Sequence, residues 1–138
     1  MLDKNLIKNK MSDIQGYFGE LKPIVDLDIK DILQDNMKVH TTERLFQLIV
    51  DTSIDINTHI ISESNFQTPE DYQSTFITLA ENKILSMDLA IKIAPSVGLR
   101  NLVVHKYGKV DMKKMMESIK NEMGDYVAYL KEINKLAR

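Results

Sequence analysis

Apolar residues recur at three- and four-residue steps through most of this chain, and no stretch keeps the strict alternation of a half-buried strand, so the pattern predicts an all-α protein. Five glycines and three prolines leave long uninterrupted segments between them. A first amphipathic helix is expected from about Asp3 to Leu21, closed by Pro23, with a short helical piece around Ile29 to Asn36. Thr41 or Thr42 can cap the next helix, from about Thr42 to Ser62, and Pro69-Glu70-Asp71 opens another reaching about Asn82. A helix from Met87 to about His105 should be kinked or loosened near Pro95 and Gly98. Gly108 stops it, and a last helix starts at Asp111. The expected architecture is an antiparallel helical bundle of four to six helices.

Two of these helices are informative beyond their length. In the Thr42–Ser62 segment, Leu45, Leu48, Ile49, Ile56 and Ile60 make one stripe, while Phe46, Val50, Ile54 and Ile61 widen the apolar arc past a single face. One side can face the core. A partner subunit is the economical cover for the other, which predicts a homodimer that substitutions at Phe46 or Ile54 would break. In the last helix Met112, Met115, Met116, Ile119, Met123, Tyr126, Val127, Leu130 and Ile133 follow helical steps and read as packing residues.

With 138 residues, 43% of them hydrophobic, the chain suits a single domain with a real core. The absence of cysteine removes disulfides, thiolate metal sites and thiol nucleophiles, and suits a reducing cytosol. The charged N-terminal segment lacks the apolar run of a signal peptide, and no stretch approaches the roughly 20 apolar residues of a membrane span. A cytoplasmic protein is expected. The net charge of −2 is unevenly spread: from Lys92 to Lys114 six cations face the lone anion Asp111, a local balance of +5 that leaves −7 on the remainder. A basic segment in an acidic chain is the footprint of a phosphate-seeking cleft, although a solvated lysine face has the same composition.

That segment holds the densest chemistry in the sequence. Arg100, Asn101, His105, Lys106 and Tyr107 place a permanent cation, an amide, an imidazole, a second cation and a phenol within eight residues. Arg offers a planar fork suited to phosphate, and His titrates near neutrality and can move protons there. On an ideal helix Arg100 and Tyr107 are nearly eclipsed, as are Asn101 and His105, but Arg100 and His105 lie about 140° apart. A long arginine side chain or unwinding near Gly98 or Gly108 must bring them to a common substrate. The competing structural reading pairs Arg100 with a carboxylate, uses His105 to cap the helix and packs Tyr107 in the core.

The arrangement Arg, a polar residue, three further residues, His, any residue, Tyr resembles the motif of HEPN ribonucleases, and the HepT-like toxins among them most closely. Glu43-Arg44-Leu45, the segment Asp55 to His59-Ile60, and Gly98-Leu99-Arg100-Asn101 are similar in order and spacing, so the resemblance covers nearly the whole of residues 1–138. It implies a dimeric HEPN-like bundle and a metal-independent endoribonuclease toxin of a type VII-like toxin–antitoxin system, needing no cofactor. The RNA 2′-hydroxyl would attack the adjacent phosphorus, with His105 moving the proton and Arg100 stabilising charge on phosphate oxygens. Asn101 would orient the imidazole or the phosphate, and Lys106 and Lys109 would contact RNA phosphates. One motif offers a single histidine where in-line cleavage uses an acid and a base, so a twofold dimer would supply both. The resemblance further implies a minimal nucleotidyltransferase antitoxin that transfers AMP from ATP to Tyr107, blocking RNA by bulk and charge.

The rival reading is a non-catalytic HEPN module that binds nucleotides or RNA, or partners a nucleotidyltransferase; a purely structural adaptor would need neither Arg100 nor His105. Asp51, Asp55 and His59, at four-residue steps, read as a metal site or, more simply, as a polar row. His40 is expected in a solvated connector, and Tyr17, Tyr72, Tyr126 and Tyr129 are expected to be structural.

Overall fold

A computed structural model describes residues 1–106 and 108–138; Tyr107, the expected AMP acceptor, lies outside the described residues. Among these residues the regular structure is entirely helical: α1 (Lys4–Val25), α2 (Ile29–Leu33), α3 (Asn36–Glu63), α4 (Gln73–Glu81), α5 (Met87–Ile93), α6 (Ser96–Val104) and α7 (Met112–Ala137). The start of α1 is tied to both neighbouring ends. The Met1 ammonium meets Glu63 at 2.6 Å, the Asp3 N–H donates to His59 Nε2 at 3.0 Å, and Lys4 Nζ donates to the Arg138 carbonyl at 2.7 Å. Thus α1 runs antiparallel to both α3 and α7, and the bundle expected from periodicity is observed.

Several boundaries differ from the sequence expectation, each for a local reason. Pro23 does not close α1; it sits in the last turn, and the helix continues to Val25 because Leu21 and Val25 are buried on the core side. A proline there forfeits one hydrogen bond, which burial offsets. Helix α3 begins well before Thr42, where Asp35 accepts from the N–H groups of Met37 and Lys38 at 3.0 and 3.4 Å. Thr42 is consequently buried within the helix, and His40 lies in its opening turns with an exposed ring rather than in a connector. Pro69 precedes α4 by a turn, and Asp71, just before the N-cap Tyr72, accepts from the Ser74 N–H at 2.7 Å. The Met87–His105 segment breaks at Ala94-Pro95, as the proline foretold, while Gly98 lies inside α6.

The wide apolar arc of α3 is buried within this chain. Phe46, Ile49, Val50, Ile56 and Ile60 are 0% exposed and Ile54 7%. Helix α1 covers one side, and α2, α4 and α6 cover the others. The double-sided pattern is therefore satisfied without a partner, and Phe46 and Ile54 are not interface positions. Periodicity reports that a face is buried, not which chain buries it.

Polar links fix the helices at the centre. The fully buried Tyr129 hydroxyl lies 2.6 Å from Asn57 Oδ1 and 3.2 Å from the Ser53 carbonyl, Asn57 Nδ2 donates to Thr75 Oγ1 at 3.1 Å, and Thr75 Oγ1 donates to the Tyr72 carbonyl at 2.6 Å. The chain joins α7, α3 and α4. Tyr126, also buried, meets Ser96 Oγ at 2.6 Å, and burial raises its phenol far above the ordinary value, so it remains protonated. Tyr126 and Tyr129 are structural, as expected.

On α7, burial and then the neighbouring Asp125 push the Glu122 carboxyl up from 4.5 to about 7. The folded state then holds a proton that the unfolded state releases, so stability falls as pH rises from about 4.5 to about 7 and is level above. Glu122→Gln is expected to flatten this slope and to add about 1 kcal/mol at pH 8, after allowance for solvent screening of a half-exposed group. Urea unfolding of both proteins at pH 5 and pH 8 checks it; parallel slopes for the two would contradict the assignment.

Candidate active site

Helix α6 is the element that carries the motif, and it is anchored before it is functional. Ser96 and Val97 are buried at its start, Ser96 holding Tyr126 of α7, and Val103 is buried near its end. This fixes the rotation of the helix so that Arg100 faces α3. Its Nε donates to Asp51 Oδ1 at 2.7 Å and its Nη2 to Asp51 Oδ2 at 3.3 Å, while Nη1 donates to Asn101 Oδ1 at 3.0 Å. Bidentate pairing fixes the guanidinium plane. Among the described residues these contacts use three of the five N–H donors, which leaves one hydrogen on each terminal nitrogen.

His105 is the C-cap of α6. Its N–H still donates to the Asn101 carbonyl at 2.8 Å, but its φ of −111° and ψ of 59° turn the chain out of the helix. The helical angle that separates Arg100 from His105 therefore no longer applies, because α6 ends at Val104. The imidazole side is exposed. Just beyond, Lys106 makes an ion pair with Glu43, a nearly buried carboxylate of α3 that also lies 3.2 Å from His40 Nδ1. Gly108, with φ 84°, allows a left-handed turn before Asp111 caps α7. Lys109 is exposed on this turn.

Parts of both sequence readings thus coexist: Arg100 is paired to a carboxylate and His105 stands at a helix cap, yet both remain at the surface of one end of α6. The residues missed are Asp51, taken for a member of a metal or polar row, and Glu43, noted only for its family likeness. Both lie on α3, eight positions apart, opposite cations six positions apart at Arg100 and Lys106. That matching of carboxylates to cations was readable, but only with the α3–α6 contact in hand. The row itself is divided among three partners, Asp51 with Arg100, Asp55 with Lys10 at 3.4 Å, and His59 with the Asp3 N–H. It is a polar row.

A cleft of about 390 Å³ opens beside the arginine, lined by Asp51, Ile54, Asp55, Thr58, Tyr72, Val97, Arg100 and Asn101. A guanidinium held by two hydrogen bonds to Asp51 at the rim of a cleft can bind a phosphodiester, whereas His105, at the C-cap of α6, is not among the described residues that line this cleft. Leu102 and Val104, 43% and 38% exposed, flank these residues on the outer side of α6.

The family model described as Ribonuclease HepT-like matches residues 14–133. A tRNA nuclease HepT of Aphanizomenon flos-aquae is 35% identical over 129 residues, spanning 94% of this chain and 88% of the relative. An mRNA nuclease HepT of Shewanella oneidensis is 22% identical over 126 residues, with 91% and 94% covered. The fold superposes with a TM-score of 0.85 and 22% identity on a tri-AMPylated HEPN toxin of Shewanella oneidensis in complex with MNT antitoxin, covering 94% of this chain and 97% of that one. The family model and the relative at 35% identity agree: the chain belongs to the HepT-like ribonuclease family.

Proposed function

We propose that this chain is the RNA-cleaving toxin of a type VII-like toxin–antitoxin pair, acting in the cytoplasm without a metal. The observation that carries the reading is the Arg100 guanidinium, fixed by Asp51 and Asn101 at the cleft rim on the helix that His105 ends. The RNA 2′-hydroxyl attacks the adjacent phosphorus, the bond to the 5′-oxygen breaks, and a cyclic phosphate and a 5′-hydroxyl result. His105 moves a proton at one of these oxygens, and Arg100 stabilises the charge on the phosphate. Asn101 acts through its bond to Arg100. Lys109 meets a flanking phosphate directly; Lys106 reaches one by exchanging its Glu43 partner. Preincubation of total RNA with the protein in EDTA, its unmodified state confirmed by intact mass, should yield fragments ending in cyclic phosphate. RNA that is bound but left intact would favour the non-catalytic module.

A homodimer supplies the second histidine. Since α3 is covered from within, the candidate surface is the exposed apolar pair Leu102 and Val104 next to the motif. Leu102→Asp is expected to halve the solution mass and to reduce cleavage about 100-fold or more, with helix content unchanged; light scattering, circular dichroism and the cleavage assay together check it. Full activity in a monomer would refute the shared site. Tyr107 is the proposed acceptor of AMP from a minimal nucleotidyltransferase antitoxin, supported by the modified toxin in the similar complex. ATP and the antitoxin should add AMP mass to this chain and not to Tyr107→Phe.

A further inference from the structure

We propose that Tyr72 is a nucleobase-stacking platform, which holds a base of single-stranded RNA next to the phosphate at Arg100. Tyr72 was expected to be structural, yet its side chain is 62% exposed at the head of α4. It lines the arginine cleft together with Thr58, and the same two residues line a second groove of about 910 Å³ formed by the end of α3 and the segment leading into α4. The two hollows therefore adjoin at Tyr72 and Thr58.

Their chemistry divides. Among the described residues, the first hollow carries the guanidinium of Arg100 together with the carboxylates of Asp51, its partner, and Asp55, whereas the charged residues of the second are Glu70 and Asp71, both carboxylates with no cation beside them, accompanied by Phe66, Asn65 and Tyr72. The Arg100 guanidinium gives a phosphate a cation in the first, and the lining of the second offers it carboxylates without one. An uncharged planar base suits the second, with aromatic surface for its face and oxygen acceptors for its amino groups. Tyr72 is also held as a platform should be. Its carbonyl accepts from Thr75, which is tied through Asn57 to Tyr129 on α7, so an exposed ring stands on backbone fixed by a buried chain of hydrogen bonds. Preorganisation lowers the ordering cost of binding.

This inference rests on the ribonuclease reading for its RNA phosphate, but affinity tests it separately from cleavage. The probe is a fluorescent 2′-O-methyl oligoribonucleotide, which lacks the attacking hydroxyl. Tyr72→Ala is expected to weaken single-strand binding about ten-fold, and Tyr72→Phe to leave it within two-fold, since stacking needs the ring and not the hydroxyl. A fully paired duplex of the same sequence should show no difference between the variants. Equal affinity of Tyr72→Ala and the parent for the single strand, or equal losses for Ala and Phe, would overturn the platform. Failure of the parent to cleave ordinary RNA would overturn the nuclease reading instead.

Discussion

His105→Ala is expected to slow RNA cleavage by at least about 10³-fold, the middle of the range for losing a general acid or base. The loss should be large because in a twofold site one substitution removes both proton-transfer groups. His105 stands past the last residue of α6 with an exposed side chain, so truncation opens no core cavity. Arg100→Ala is a poorer probe, because it also strands the Asp51 carboxylate. Gel analysis of total RNA cut in EDTA, paired with thermal melts of both proteins, decides the matter. Equal cleavage by parent and variant would remove His105 from the reaction.

Phe46→Ala is expected to cost about 3–5 kcal/mol, a large part of the roughly 5–15 kcal/mol that holds an ordinary domain together. Phe46 is 0% exposed at the centre of α3, where α1 packs along the helix. The variant should therefore unfold at lower denaturant and lose helix content, rather than appear as a folded monomer. Urea titration followed by circular dichroism reads this directly. A fully helical, monomeric Phe46→Ala protein would mean that the ring lies between subunits, contrary to the packing seen here. The contrast with Leu102→Asp separates core from interface.

The candidate site could be proposed from sequence because it is local: Arg100, Asn101 and His105 lie within six residues, and Pro95 and Gly108 punctuate the element that presents them. The helices were legible because burial imposes a 3.6-residue period. Their ends were less so. Asp35 replaced Thr41 or Thr42 as the cap of α3, α4 started after Pro69-Glu70-Asp71 rather than at Pro69, and Pro23 was absorbed into the end of α1, since capping and core contacts outweigh single-residue preferences by a kcal/mol or so.

By itself, then, the sequence determined an all-helical bundle, its family, and a cation–imidazole motif in a basic segment. The tertiary structure decided what each of these touches. It paired Arg100 with Asp51 from 49 residues away, seated Lys106 on Glu43, covered both sides of α3 from within the chain, and left Tyr72 exposed between two hollows. Periodicity and propensity are properties of neighbouring residues, whereas these contacts depend on the rotation and crossing of whole helices, which packing against distant segments alone fixes.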